Sequence, residues 1–360
     1  MGYDVIVVGG GIGGLTVAAL LSARGMSMCV LERQSQVGGC IARVEFSGYD
    51  FEPGMGLYTS FGPGEIYEKL FSALPVEPPE VSFTTPRVIR LPGGTDVPSH
   101  DEQLYSIAGG PASLAERLAE SIKRSGGSVR LNSPVLRLAF DESGRAIGVD
   151  LLSGERVLAP TIVSNLTIWD TYGKLVGLNR TPPEIKKRLG TLQGRGAYLI
   201  YANIEASAVA RLPSERMLVK DSAGEFTVAI ASGQTAPDGK RAVTFQTETD
   251  VESWFTYQSS EEDYEEWDQA ALETFWTRLH AALPELGSEV EVIETANPRT
   301  FYDLTRRKLG MVLGTGPVEQ SRGNATFLPN VFMVGDTVSS HARVDSVIES
   351  AIRLADQLTS

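Results

Sequence analysis

Gly9, Gly11, Gly14 and Glu32 are the residues whose spacing specifies chemistry most directly. The glycines stand as G-x-G-x-x-G between a short β-branched run, Asp4 to Val8, and an apolar helix expected over Leu15 to Arg24. In such a turn the first glycine allows the tight bend, the second lets backbone approach a pyrophosphate, and the third lets the helix pack on the strand. Gly25 ends the helix, Met28 to Leu31 supply a second strand, and Glu32 closes it about twenty positions after the motif, where a carboxylate accepts from both hydroxyls of a ribose. It would repel a 2′-phosphate. The chemistry is dinucleotide binding, with NADP disfavoured and NAD and FAD both open.

The elements that must position these residues make an opening βαβ unit. A second αβ unit runs from Gly109 to Asn165, with a helix carrying Leu114, Leu118 and Ile122 on one face and closed by Gly126-Gly127. Ser128 to Leu131, Val135 to Phe140 and Ala146 to Leu152 are expected as a three-strand meander that returns through Ala159 to Val163. From about residue 166 to 300 the pattern becomes antiparallel: strands at Tyr198 to Ile204, Glu225 to Ala231, Arg241 to Glu248 and Glu289 to Glu294, with a Pro237-Asp238-Gly239 turn inside a hairpin. A helix with a Ser259/Glu262 capping box turns Trp267, Ala271, Phe275, Leu279 and Ala282 to one face, and its Glu261, Glu265, Glu266 and Asp268 are expected on a solvated face. Val331 to Val334 and a helix over Val344 to Leu358 return the chain to its first domain. The expected fold is α/β: a discontinuous, doubly wound nucleotide-binding domain (1–60, 105–165 and 310–360) and a second, α+β substrate domain on an antiparallel sheet (61–104 and 166–309).

Composition narrows the partners. The chain has 360 residues, 42% hydrophobic and 21% charged, with a net charge of −13, a sign that repels nucleic acid and anionic lipid. Two cysteines and three histidines supply neither a disulfide framework nor a metal site. Val5 to Leu21 is apolar but carries five glycines, is too short to span a bilayer and lacks the basic flank of a signal peptide, and Ile6 stands where a myristoylation motif wants Ser or Thr. A soluble cytoplasmic protein with no stable membrane insertion is expected.

NAD and FAD are separated by what lies further along. Gly38-Gly39 follows Glu32, Arg43 stands just beyond, and VFMVGD from Val331 is a strand running into Gly335-Asp336. With GGGIGGL at 9–15, LERQSQVGGCIARVEFSGYDFEPG at 31–54, GGPASLAERLAESIKRSGGSVRLNSPVLRL at 109–138, APTIVSN from 159 and PDGKRAVT from 237, the chain resembles the FAD-dependent amine oxidase superfamily, and within it the phytoene desaturase and carotenoid isomerase group. The resemblance implies an FAD-binding, Rossmann-like domain of the GR2 type. It implies that Glu32 binds the adenosine ribose, that Gly39 and Arg43 line the pyrophosphate and flavin side, that Val135 meets adenine through its backbone, and that Asp336 holds the ribityl and phosphate region. Gly13, Arg33, Gly54, Gly335 and Val344 join the same site. Cys40 is read as packing, with no covalent flavin link. Gly310 to Gly316 is read as a loop over the flavin, and no second G-x-G-x-x-G offers a nicotinamide domain.

Two departures from the family pattern stand out. Small residues that usually follow the Gly-Asp pair are replaced by Ser340-His341-Ala342-Arg343 and Ser346, which makes Arg343 and His341 the catalytic candidates: a guanidinium stabilising reduced flavin and a proton donor beside it. The segment between Glu52 and Gly109 is short, with only Gly62 to Leu74 helical, so the substrate site is either more open or completed by a partner chain, a homo-oligomer included. The implied activity is desaturation or double-bond isomerisation of an apolar, polyene or isoprenoid-like molecule, with oxygen or a quinone as diffusible acceptor if net oxidation occurs. A flavin amine oxidase is the rival reading, with Trp254, Phe255 and Tyr257 as its aromatic residues. A GDP dissociation inhibitor-like binding protein is the non-enzyme alternative.

Overall fold

The run Val5–Val8 forms a strand buried along its whole length, as a strand covered on both faces must be. The computed structural model describes residues 2–53, 58–83, 87–99, 104–231, 239–256, 261–314, 324–339, 341 and 343–360. From that strand, β1 (Val5–Val8), the chain passes through α1 (Ile12–Ala23), β2 (Met28–Leu31), the hairpin β3 (Val44–Phe46) and β4 (Tyr49–Phe51), and α2 (Ile66–Ser72). Short strands β5 (Val81–Phe83), β6 (Val88–Leu91), β7 (Thr95–Pro98) and β8 (Tyr105–Ile107) lead into α3 (Ala112–Arg124) and β9 (Ser128–Arg130). Next come β10 (Val135–Phe140), β11 (Ala146–Leu151), β12 (Arg156–Leu158), β13 (Thr161–Ser164), α4 (Ile168–Asp170) and α5 (Pro183–Thr191). The second half holds β14 (Gly196–Ile204), α6 (Ala206–Val209), β15 (Arg216–Asp221), β16 (Gly224–Ile230), β17 (Arg241–Thr249), α7 (Ser253–Thr256), α8 (Glu261–Ala282), β18 (Val290–Ala296) and α9 (Pro298–Thr305), and the chain closes with β19 (Val331–Met333) and α10 (Val344–Thr359).

A parallel sheet of order β19-β13-β1-β2-β9 forms the first layer. Its strand order reverses beside β1, which pairs with β2 (Val5↔Met28) on one side and β13 (Val5↔Thr161) on the other. That reversal leaves a crevice at the carboxyl ends of the strands, where ligands bind in sheets of this kind. Leu15, Val17 and Leu21 of α1 pack there with Leu114, Leu118 and Ile122 of α3 and Ile348 and Leu354 of α10 on one face. Tyr67, Leu70 and Phe71 of α2 join the same core, although the sequence places this helix with the substrate domain. The opposite face is covered by Leu138, Val149 and Leu151 of a three-strand meander and by Trp169, Tyr172, Leu175, Ile185 and Leu189.

The meander is β10-β11-β12, which corrects the expectation that Ser128 to Leu131 begins it. Residues 128–130 instead extend the parallel sheet beside β2, with Cys29 opposite Ser128, because α3 carries the chain back across the sheet before they are reached.

The second sheet has the order β18-β14-β17-β16-β15-β6-β7, antiparallel except where β15 runs parallel to β6. Alternation along β14 sends Tyr198, Ile200 and Ala202 under α8, against Phe275 and Leu279, and turns Leu199 and Tyr201 to the other face, toward Phe51 and Phe301. The strand β15 was not foreseen. Its Arg216 is a buried charge in an apolar run, paired with Glu52 at 2.8 Å, which ties the sheet to the segment after β4. In α8, Trp267 is 42% exposed although expected on the buried face, and Asp268 is half-buried and accepts from Thr295 Oγ1 and Asn297 Nδ2, both at 2.8 Å. The end of β18 and the cap of α9 need that acceptor. Ser259, Pro237 and Asp238 lie outside the described residues. Among the described residues no helix is long and apolar enough to cross a membrane.

Candidate functional site

The glycine turn after β1 sits at the carboxyl edge of the parallel sheet and leads directly into α1. Gly11 is its N-cap and offers no side-chain cap, and no acidic residue occupies the first turn. The first amide N–H groups of α1 therefore lack an internal acceptor and, with the helix dipole, favour an anion. A Cβ on Gly14 would lie 2.4 Å from the Gly9 carbonyl oxygen, and one on Gly11 would lie 2.6 Å from Nδ2 of Asn165. Asn165 follows β13 and is held there by its N–H donating to the Val8 carbonyl at 2.8 Å. The second glycine loop closes on the first, the Gly38 N–H donating to the Gly10 carbonyl at 2.8 Å.

Around these loops runs a cleft of about 470 Å³. Gly9, Gly11, Gly13, Glu32, Arg33, Gly39, Arg43, Val135, Gly335, Asp336, Arg343 and Val344 all line it. Gly14 does not; it lies buried beneath, where the helix meets the strand. Gly54 falls outside the described residues.

At one end of the cleft the Glu32 carboxylate is 9% exposed and accepts from the Gly10 N–H at 2.6 Å and the Gln34 N–H at 2.7 Å. Each oxygen keeps a lone pair, so two hydroxyls of a ribose can be accommodated. A phosphate beside this nearly buried carboxylate cannot. Val135 and Leu136 stand alongside.

Mid-cleft, Asp336 is paired with Arg307 at 2.5 Å, and Arg307 Nε donates to the Met311 carbonyl at 2.6 Å. Burial works against the Arg307 charge, and the Asp336 carboxylate more than compensates, holding the guanidinium protonated. Arg307 reaches the cleft on a strap that leaves the end of α9. Arg33 donates to the Leu304 carbonyl and Lys174 to the Arg306 carbonyl, both at 3.0 Å, so two cations clasp the carboxyl end of that helix over the cleft. Cys40 lines the cleft beside Arg307; burial pushes its thiol up, which suits packing rather than nucleophilic chemistry.

The two catalytic candidates part company. Arg343 caps α10 and lines the cleft, but its guanidinium donates to Asp345 at 3.0 Å and to Thr59 at 2.6 Å. Its charge is locally balanced. Burial raises the Asp345 carboxyl, but donation from Arg343 and Thr59 outweighs this and holds it below its ordinary value. His341 is exposed and does not line the cleft; its carbonyl accepts from Ser339 Oγ. Arg43 lines the cleft with its side chain 46% exposed, 3.7 Å from Asp50.

The far end of the cleft is apolar. Phe46, Pro53, Tyr201, Ala296 and Phe301 line it, with the Phe46 and Tyr201 rings 5.6 Å apart and tilted. Of the aromatic residues that the amine oxidase reading would use there, Trp254 stacks on Tyr198 in the core beneath α8 and Phe255 packs against Tyr302, while Tyr257 is outside the described residues. Alternation along β14 is the reason, because it turns Tyr198 away from the cleft and Tyr201 toward it.

Residues 7–74 match the model of an NAD(P)-binding Rossmann-like domain. Over 271 residues the chain is 26% identical to the chloroplastic prolycopene isomerase of Arabidopsis thaliana, covering 70% of this chain and 45% of that one. Over 77 residues it is 39% identical to a carotenoid 3,4-desaturase of Haloarcula japonica, covering 21% of this chain and 15% of that one. The chain is thus similar to the prolycopene isomerases over much of its length and to a carotenoid desaturase over a shorter stretch. It spans about half the length of the prolycopene isomerases it matches. Among solved structures, an oxidoreductase from Methanosarcina mazei superposes with a TM-score of 0.76 at 15% identity, covering 98% of this chain and 99% of that one. A putrescine oxidase does so with a TM-score of 0.69 at 14% identity, covering 100% and 99%. At those identities the likeness is one of fold.

Sequence reading missed Asn165, Arg307 and Tyr201. Asn165 ends the stretch APTIVSN, and its position after a strand was the available signal. Arg307 showed only as one of three basic residues in a row, and the alternation of β14 could have singled out Tyr201.

Proposed function

We propose that this protein is an FAD-dependent oxidoreductase acting on an apolar, polyene or isoprenoid-like molecule by desaturation or double-bond isomerisation. One observation carries the reading: a single cleft joins a ribose-accepting carboxylate, an uncapped helix N-terminus and an aromatic, apolar-lined end. The cleft residues fit the group. Glu32 would hold the ribose, the amide groups from Gly11 to Gly13 the pyrophosphate, and Val135 and Leu136 would flank the adenine. Bound FAD supplies a hydride acceptor at N5 for desaturation and, when reduced, the means of isomerising a double bond. The chain's own part is to orient and to exclude water: Phe46, Tyr201 and Phe301 present an apolar wall, and the strap from Leu304 to Arg307 covers the cleft between its two ends.

Incubation of the purified, FAD-loaded protein with a cis-configured polyene, once as isolated with oxygen or a quinone and once after reduction, tests this. The reading expects either a longer conjugated chromophore in the first case or a cis-to-trans spectral shift in the second. The Phe46 and Tyr201 pair also supports a second reading, an amine oxidase, for which hydrogen peroxide released from simple aliphatic amines, with polyenes inert, is the outcome.

A further inference from the structure

The aromatic end of the cleft contains one polar atom whose surroundings are incomplete. Tyr201 is 3% exposed, and its ring is held by Phe46 at 5.6 Å and Phe51 at 5.1 Å. Its hydroxyl is paired with no described residue and, unlike the sealed hydroxyls of Tyr58 and Tyr67, opens to the cleft. Three neighbouring polar groups of the same sheet region are paired: the Tyr198 hydroxyl donates to the Asp268 carbonyl at 3.2 Å, Trp254 Nε1 to Thr249 Oγ1 at 3.1 Å, and Thr244 Oγ1 to the Glu52 carbonyl at 2.8 Å. The Tyr58 and Tyr67 hydroxyls also lack partners, but neither residue lines the cleft. Tyr201 does, among Phe46, Pro53, Ala296 and Phe301.

Resting on the apolar-substrate reading, we infer that the Tyr201 hydroxyl is a specificity contact for one oxygen function, a hydroxyl or carbonyl, on an otherwise apolar isoprenoid ligand. The surroundings decide the class of polar group. A buried ammonium is held best with a carboxylate against it, and among the described residues the acid beside Phe46 in the cleft lining, Glu45, is exposed. A neutral oxygen needs only the single donor or acceptor that a phenol provides. The same unpaired hydroxyl disfavours a pure hydrocarbon, which would fill the aromatic end and leave the polar atom without water or partner.

Titration of the oxidised, FAD-loaded protein with farnesol, and separately with the hydrocarbon that lacks its hydroxyl, followed by the flavin difference spectrum, tests the inference without turnover. Wild type is expected to bind the alcohol about threefold to tenfold more tightly, the range of one net hydrogen bond. In Tyr201→Phe the two probes should bind alike, with the hydrocarbon no weaker than to wild type and the melting temperature not lowered, since only an unpaired hydroxyl is removed. Equal binding in wild type, or a preference that survives in Tyr201→Phe, overturns the inference and leaves the apolar-substrate reading standing. A yellow, FAD-loaded protein that responds to neither probe overturns both.

Discussion

The Arg307 guanidinium meets the Asp336 carboxylate at 2.5 Å in the middle of the cleft, joining a strap that leaves α9 to the turn that follows β19. Both side chains are only 15% exposed, so each is the other's principal compensation. Asp336 is thereby held in place at the point where the family resemblance puts the ribityl and phosphate groups. The neighbouring clasps, Arg33 on Leu304 and Lys174 on Arg306, hold the strap against the cleft.

Removing one partner of a buried pair leaves an uncompensated charge and costs about 3 to 5 kcal/mol. Arg307→Ala is expected to destabilise the protein by that order in urea unfolding and to weaken FAD retention. The double variant Arg307→Ala/Asp336→Asn should recover part of the stability. A single variant with an unchanged unfolding midpoint contradicts the role given to the pair.

The Asn165 carboxamide leaves no room beside Gly11, where a Cβ would sit 2.6 Å from Nδ2. Gly11→Ala should therefore lose FAD affinity while remaining folded, and Asn165→Ala placed in the same chain should restore a large part of it. Absence of rescue in an FAD titration would show that the collision is not what excludes a side chain there.

The Arg343–Asp345 pair makes a pH prediction. The Asp345 carboxyl is held below its ordinary value in the folded protein, so it binds a proton less readily folded than unfolded. Its contribution to stability is complete above the unfolded value and is lost as pH falls through the folded one. Urea unfolding of wild type should weaken over that acid range, and Arg343→Ala should show a smaller loss there. In the same variant Asp345 is left without its cation at the head of α10, so the bound flavin's potential should fall, on the order of tens of millivolts, with FAD retained. An unchanged potential contradicts an electrostatic role for Arg343.

Glu32 is the acceptor on which nucleotide selection turns. Glu32→Ala should weaken FAD by about 1.5 to 3 kcal/mol, roughly tenfold to a hundredfold, when apoprotein is titrated calorimetrically. Equal affinity in the variant removes Glu32 from the site.

What the sequence made legible is what short-range rules control. The glycine turn, its flanking strand and helix, Glu32 and the Gly335-Asp336 turn each follow from neighbours within a few residues, and all reach the cleft except Gly14, which packs beneath it. Arg307, Asn165 and Tyr201 escaped because topology brings them in: the first on a strap, the second on the strand across the reversal point, the third by the alternation of a strand in the other sheet. Arg343 was found, and its partner stands two residues further on, yet its neutralisation became apparent only once Asp345 and Thr59 were seen to share it. Strand β15 stayed hidden because Arg216 breaks its apolar run, and only the distant Glu52 makes that charge tolerable.

Whether the cleft holds FAD, and without a covalent bond, is tested most directly by the visible spectrum of the purified protein. A yellow protein with a band at about 450 nm is expected, with release of FAD into the supernatant on denaturation. A colourless protein that stays colourless after incubation with excess FAD, or a pigment that remains with the denatured chain, would contradict it.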